Sequence, residues 1–280
     1  MNYKIVSDSS SNIYEFSIVD YISVPLKINT AKKEYVDNKS LDVEKMVEEI
    51  KETKGKSGTS CPNIGDWLSA FGEADAVFAI TITSRLSGSF ASAKQAAEIY
   101  EDAHPGRRVF VVDSLSTGPE MHLIIEFLRK KILDEAGFEE ICDAVNEYTK
   151  KTHLLFSLQS LTNLARNGRV NPAVAKIAGV LGIRILGAAK NGVRDPLHKC
   201  RGEAKTLEVM FEEMKNRGFC GGKVKIAHCM NPKSAQILKE KILGEFPRAE
   251  IEIEKNGGLC SFYAEKGGLL VGFEGGEKTQ

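Results

Sequence analysis

Several short stretches place hydroxyl, amide and guanidinium groups where an α/β chain tends to hold ligands. The most informative is Thr81-Ile82-Thr83-Ser84-Arg85-Leu86-Ser87-Gly88-Ser89-Phe90. It follows an apolar run, Ala76–Ile82, and precedes an alanine-rich helical one, Ala91–Tyr100. In open α/β sheets ligands lie in the crevice at the carboxyl ends of the strands. A Ser-Gly-Ser turn at that place offers hydroxyls and free backbone N–H groups at a helix N-terminus, which suits an anion. The same serines also read as plain helix caps, with Ser87 or Ser89 accepting from first-turn amides.

A second stretch is Ser57-Gly58-Thr59-Ser60-Cys61-Pro62-Asn63, ahead of an Ile64, Trp67, Leu68, Phe71 stripe at helical spacing. It predicts a capped helix start with Pro62 in the first turn, so Thr59 and Ser60 are either caps or neutral donors at another positive helix end. Cys61 there can have a lowered pKa, but no base stands near it in sequence. A third feature is Asn167-Gly168-Arg169 with Arg201 downstream, each arginine also readable as an ordinary surface residue. The opening Ser7-Asp8-Ser9-Ser10-Ser11-Asn12 follows the first strand, again a ligand position in a doubly wound fold.

The signatures of catalysis are missing from these stretches. Ser87 has Arg85 two residues before it, so the nucleophile elbow G-x-S-x-G is not met. None of His104, His122, His153, His198 or His228 sits in a local pattern that names a base. No Walker loop or G-x-G-x-x-G opens a helix. An acyl hydrolase using Ser87 or Cys61 is therefore the weaker alternative, and the expectation is a binding protein with no catalytic residue.

The elements that must position these groups alternate along the chain. Apolar runs Tyr3–Ser7, Ile22–Ile28, Ala76–Ile82, Val109–Asp113 and Leu154–Leu158 predict strands. Val43, Met46, Val47 and Ile50 give Asp42–Lys54 helical spacing, and Glu120–Glu135 reads as a longer helix. Strands apolar throughout, such as Ala76–Ile82, are buried on both faces and predict a largely parallel sheet covered by helices. Further on, Ile183–Ala189 and Asn191-Gly192 predict a hairpin. Helix Glu203–Asn216, strand Lys223–Cys229, helix Lys233–Phe246 and strand Glu250–Glu254 follow, then Leu259–Ala264 and Gly268–Phe273 as two last strands. The fold class is thus α/β in two domains: residues 1–152 with the parallel sheet, and residues 153–280 as an α+β unit.

Composition narrows the function. The 280 residues carry 38 Lys plus Arg against 38 Asp plus Glu, without the basic excess of a nucleic-acid binder. No apolar run approaches the roughly 20 residues that span a bilayer, and the N-terminus lacks a signal-peptide layout, so a cytoplasmic location is expected. Six scattered cysteines with no C-x-x-C pair predict free thiols and no metal site.

Taken in order along nearly the whole chain, these segments resemble the DegV family of fatty-acid-binding proteins, which includes the lipid-carrying subunit of bacterial fatty acid kinase. Ser7-Asp8-Ser9-Ser10 is similar to the family's S-D-S-[ST], and Val24-Pro25-Leu26 with Tyr35-Val36-Asp37 to its V-P-L…Y-x-D. Thr59-Ser60-Cys61-Pro62 resembles T-S-Q-P with Cys61 in place of Gln. Leu86-Ser87-Gly88-Ser89 with Ala91-Ser92-Ala93 resembles L-S-G-T-x-x-S-A, while Val112-Asp113-Ser114 and Asn167-Gly168-Arg169 resemble V-D-S and G-G-R. The resemblance implies a lipid lying between two domains, its carboxylate bonded by Thr59 and Ser87, with Ser60, Gly88 and Ser89 beside them. Arg169 and Arg201 would lie near the head group or on the surface a kinase uses. The expected ligand is a long-chain acid such as palmitate, stearate or oleate, with no further cofactor, and the expected role is lipid transport or fatty acid metabolism. One departure falls in the C-terminal H-x-G-x-G segment, where Tyr263 takes the place of the histidine. A phenol still donates a hydrogen bond, but it is no proton donor near neutral pH. Hydroxyls and helix-terminal N–H groups satisfy a buried carboxylate without a buried countercharge, which is the expectation for this site.

Overall fold

Two sheets, one parallel and one mixed, face each other across a single helix. The computed structural model describes residues 2–52, 55–171, 173 and 182–278. The first sheet has order β2-β1-β6-β7, formed by β1 (Tyr3–Asp8), β2 (Asp20–Val24), β6 (Ala76–Thr81) and β7 (Arg108–Asp113), all parallel. Strand β6 is buried along its whole length, as an apolar strand covered on both faces must be.

The expected strand Ile22–Ile28 is two strands. Pro25 lacks an N–H and interrupts the ladder, so β2 ends at Val24 and β3 (Lys27–Thr30) leaves for a small antiparallel sheet. There it pairs with β4 (Glu34–Val36) and β5 (Ser57–Ser60), in the register Ile28 opposite Thr59. Thr59 and Ser60 are therefore strand residues. The helix after them, Ile64–Phe71, is capped by Asn63, which exchanges side-chain and backbone bonds with Asp66, and Pro62 precedes the cap.

The larger sheet has order β10-β9-β8-β13-β11-β12. Its strands are β8 (Thr152–Leu158), β9 (Ile183–Lys190), β10 (Val193–Arg201), β11 (Lys223–His228), β12 (Glu250–Lys255) and β13 (Leu269–Glu274), antiparallel except for the β11–β12 pair. The β9–β10 hairpin turns at Asn191 and Gly192 as expected. The segment Leu259–Ala264, expected as a strand, is a short helix, Gly258–Ala264. Its first amides, Gly258 N–H and Leu259 N–H, donate to the Asp37 carboxylate at 2.7 and 2.9 Å. This long-range cap selects helix where a short apolar run alone is ambiguous.

Helix Pro119–Leu133 touches strands of both large sheets. Met121, Leu123, Ile124, Ile125 and Leu128 are fully buried, so its apolar surface wraps around it rather than forming one stripe. Its N-terminus lies so close to β13 that a Cβ on Gly272 would stand 2.5 Å from the Glu120 nitrogen. Helix Phe138–Thr149, not foreseen, buries Phe138, Ile141, Cys142 and Val145 on the same core at i, i+3, i+4 and i+7.

Candidate functional site

Beyond the carboxyl ends of β6 and β7 the two sheets leave a cavity with about 620 Å³ of empty space, counting its opening to solvent. From the parallel sheet's side it is walled by Ile82, Thr83, Leu86 and the loop Leu115–Thr117. From the mixed sheet come Leu154, Phe156 and Leu158 of β8, alternate residues that point to one face. Ala189, Leu270, Leu259 and Ala264 complete much of the wall, which is overwhelmingly hydrocarbon. Cys260 also faces it, and burial pushes that thiol up to about 12, so the sulfur is a neutral, apolar lining group at pH 7.

The hairpin tip seals one flank. Thr83 Oγ1 donates to the Gly192 carbonyl at 2.8 Å. Gly192 has φ +79, and a Cβ there would stand 2.5 Å from that same hydroxyl, so glycine alone allows the close approach.

A second cavity, part polar and part apolar, adjoins the first, and the two share Ile82, Leu86, Arg194, Leu259 and Tyr263. Thr59, Ser60, Cys61, Ser87, Gly88 and Arg169 line the polar side of the second. Thr59 Oγ1 and Tyr263 OH are 2.8 Å apart, so residues 204 positions apart in sequence meet at the junction. Ser87 Oγ accepts from Ser89 N–H at 3.2 Å, just ahead of the Gly88 N-cap of the Ser89–Ala103 helix, and Ser87 lines the cavity as well. Six of the eight expected residues thus gather around one opening: Thr59, Ser60, Ser87, Gly88, Arg169 and Tyr263.

The other two lie elsewhere. Ser89 is fully buried and its hydroxyl donates to Asp8 Oδ2 at 2.6 Å, turned away from both cavities. Arg201 is exposed at the end of β10, opposite Ile183. The Ser7–Ser11 stretch, placed at a ligand position by the strand-end rule, is entirely buried and lines neither cavity. Asp8 accepts from Ser10 N–H, Ser10 Oγ, Ile82 N–H and Ser89 Oγ, which pins the end of β1 to the end of β6 and the helix after it. Asp37 does the same for the helix that carries Tyr263, accepting from Ser9 Oγ, Tyr14 OH, Gly258 N–H and Leu259 N–H. Burial raises the pKa of both carboxyls, opposed by these hydrogen bonds.

The site also holds a buried cation, where hydroxyls and N–H groups without a buried countercharge are the expectation. Arg194, two residues beyond the hairpin tip, lines both cavities. Its guanidinium lies 5.6 Å from the centre of the Tyr263 ring, and Nη1 donates to the Arg169 carbonyl at 3.2 Å. Burial pulls its pKa down to about 10, which still leaves it cationic at pH 7. The only signal for Arg194 was a place beside an Asn-Gly turn. Neither cavity is lined by a histidine or a carboxylate among the described residues, so nothing at the opening is placed to take a proton from Ser87.

An apolar slot between two sheets thus opens at one end onto a rim of hydroxyls and a guanidinium, within an α/β fold. The chain belongs to the DegV family: the model described as an uncharacterised protein of the DegV family matches residues 2–274. A DegV domain-containing protein of Streptococcus pneumoniae is 40% identical, over 98% of this chain and 99% of the relative. Two solved structures are similar at 40% identity, each covering 98% of this chain and 99% of its own. One is a DegV family protein from Eubacterium eligens loaded with heptadecanoic acid, with a TM-score of 0.95. The other is the Streptococcus pneumoniae Fatty Acid Kinase (Fak) B3 protein loaded with linoleic acid, with a TM-score of 0.96. Among the described residues no helix is long and apolar enough to cross a membrane, and no group of His, Cys, Asp and Glu forms a metal site.

Proposed function

We propose that this protein binds one long-chain fatty acid, with the acyl chain in the apolar slot and the carboxylate at the Thr59–Ser87 opening. The observation that carries this reading is the continuity of the two cavities, hydrocarbon-lined on one side and hydroxyl-lined on the other. Similar proteins loaded with heptadecanoic and linoleic acid support it. Thr59 and Ser87 donate to the carboxylate, Tyr263 OH bridges to Thr59, and Ser60, Gly88 and Arg169 complete the rim.

The energetics suit such a ligand. A sixteen-carbon chain takes about fifteen methylenes out of water at roughly 0.8 kcal/mol each, a gross gain of about 12 kcal/mol. Association costs of several kcal/mol come off that sum. The tail therefore supplies most of the affinity, and the head-group contacts fix which end faces the opening.

The protein acts on this reading as a cytoplasmic carrier in lipid transport or fatty acid metabolism, not as an enzyme, and takes no cofactor besides its lipid. Residues 1–152 and 153–280 form the two units that enclose the ligand. The likeness to the Fak B3 protein favours a further role: the bound acid is presented to a separate kinase, with exposed Arg201 and rim residue Arg169 on the face the kinase meets. Organic-solvent extraction of purified protein followed by mass spectrometry tests the binding. A stoichiometric long-chain acid is expected. Protein that is empty and also fails to take up added palmitate or oleate would overturn the proposal.

A further inference from the structure

Among the described residues four of the eleven arginines pair with a carboxylate. Arg184 is paired with Glu203 at 2.7 Å, Arg107 with Glu73 at 2.6 Å, and Arg217 and Arg108 with Glu213 and Glu139. Arg194 differs. The charged or titratable groups that act on it are Tyr263, Arg169 and Cys260, and no carboxylate pairs with it among the described residues. Among the described residues it makes one hydrogen bond, to the Arg169 carbonyl, which uses one of its five N–H donors.

Its placement is built by the sheet. Arg194 stands directly opposite Ala189 in the β9–β10 ladder, so the two side chains share a face. Ala189 lines the slot, and its small side chain leaves the longer neighbour room to lie along the wall. The guanidinium then sits over the Tyr263 ring, whose hydroxyl is bonded to Thr59. Taking a cation out of water without an anion is costly. A cation held at the junction of a hydroxyl-lined opening and a hydrocarbon slot is placed to receive the anionic end of a ligand whose tail fills that slot.

We infer that Arg194 is the counter-charge of the ligand's carboxylate, and that it makes the site select acids over neutral lipids of the same chain length. The inference rests on the fatty-acid reading and adds to it the group that discriminates the head. A guanidinium suits the role because its planar fork bonds both oxygens of a carboxylate. The rival role is scaffolding: Arg194 would only tie the Asn167–Arg169 turn to the hairpin and support the Tyr263 ring. Scaffolding affects an acid and an alcohol alike, whereas a counter-charge affects the acid alone.

The test compares equilibrium binding of palmitate and 1-hexadecanol to delipidated protein, in the unsubstituted chain, Arg194→Gln and Arg194→Lys. Palmitate should bind the unsubstituted protein more tightly than hexadecanol. Arg194→Gln should weaken palmitate by about 10- to 100-fold, the scale of a hydrogen bond to a charged group, and leave hexadecanol within about 2-fold. Arg194→Lys keeps the charge but loses the fork and should fall between. Hexadecanol binding also reports that each variant is folded. Equal losses of both ligands, or undiminished palmitate binding, would overturn the inference while leaving the carrier function standing. Binding of neither ligand by the unsubstituted protein would overturn the carrier reading itself, and this inference with it.

Discussion

Two clusters of hydroxyl-bearing motif residues lie near each other in this protein, and they differ in one respect. Around Asp8 and Asp37 every hydroxyl is turned inward: Ser9, Ser10, Ser89 and Tyr14 all donate to a carboxylate that is itself buried. Around Thr59, Ser87 and Tyr263 the hydroxyls face a cavity and keep unused donor or acceptor capacity toward it. The first cluster is closed and holds strand ends and helix starts together. The second is open and holds places for a ligand. Hydroxyls at strand ends are therefore not evidence of a binding site until their partners are known, because a neighbouring aspartate can absorb them all.

The difference can be broken first at Asp37. Asp37→Ala removes the acceptor of Ser9 Oγ, of half-buried Tyr14 OH and of the first amides of the Gly258–Ala264 helix, of which Gly258 N–H keeps a bond to Tyr14 OH. Each orphaned donor costs about 1–3 kcal/mol, so a loss of about 3 kcal/mol or more is expected in urea unfolding. A variant of near-native stability that had lost lipid binding alone would place Asp37 in the site instead of the scaffold.

A smaller effect separates the open cluster. Thr59→Val and Ser87→Ala should each weaken palmitate binding by about 1–3 kcal/mol through an underpaired carboxylate, with thermal stability little changed. Direct titration of the delipidated single and double variants measures this. Undiminished binding in the double variant would move the head group elsewhere.

The closed cluster should also show its own pH signature. Burial raises the Asp8 pKa above 3.8, so the folded state holds that proton more tightly than the unfolded chain. Stability from Asp8 is then fully present below the unfolded value and is lost as pH rises through the raised folded one. Asp8→Asn does not titrate, so the substitution should cost more melting temperature at pH 4.5 than at pH 7.5. A cost that does not change with pH would show that Asp8 is not the buried acid described. The smallest effect is expected at exposed Arg201: Arg201→Glu should leave palmitate binding within about 2-fold, since a distant surface charge is screened. A large loss would bring that residue into the head-group region.

Much of this architecture was legible from periodicity. Helix Glu203–Asn216 has the expected bounds, and the Asn191-Gly192 turn marked its hairpin. What escaped was set by contacts distant in sequence. Leu259–Ala264 reads as a strand until Asp37, more than 200 residues earlier, caps it as a helix. Ser89 reads as a cap or ligand contact until Asp8 takes its hydroxyl. Arg194 has no motif, because a countercharge needs only a position across the ladder from a small residue. Helix Phe138–Thr149 carries a legible stripe at i, i+3, i+4 and i+7.

The two ends of the ligand are located together by a crystal structure with a terminally brominated palmitate analogue. The bromine's anomalous peak is expected deep in the slot among Leu154, Phe156 and Leu158, with the carboxylate within hydrogen-bond reach of Thr59 and Ser87. A bromine at the Thr59–Ser87 opening, or a chain bound outside the slot, would contradict it.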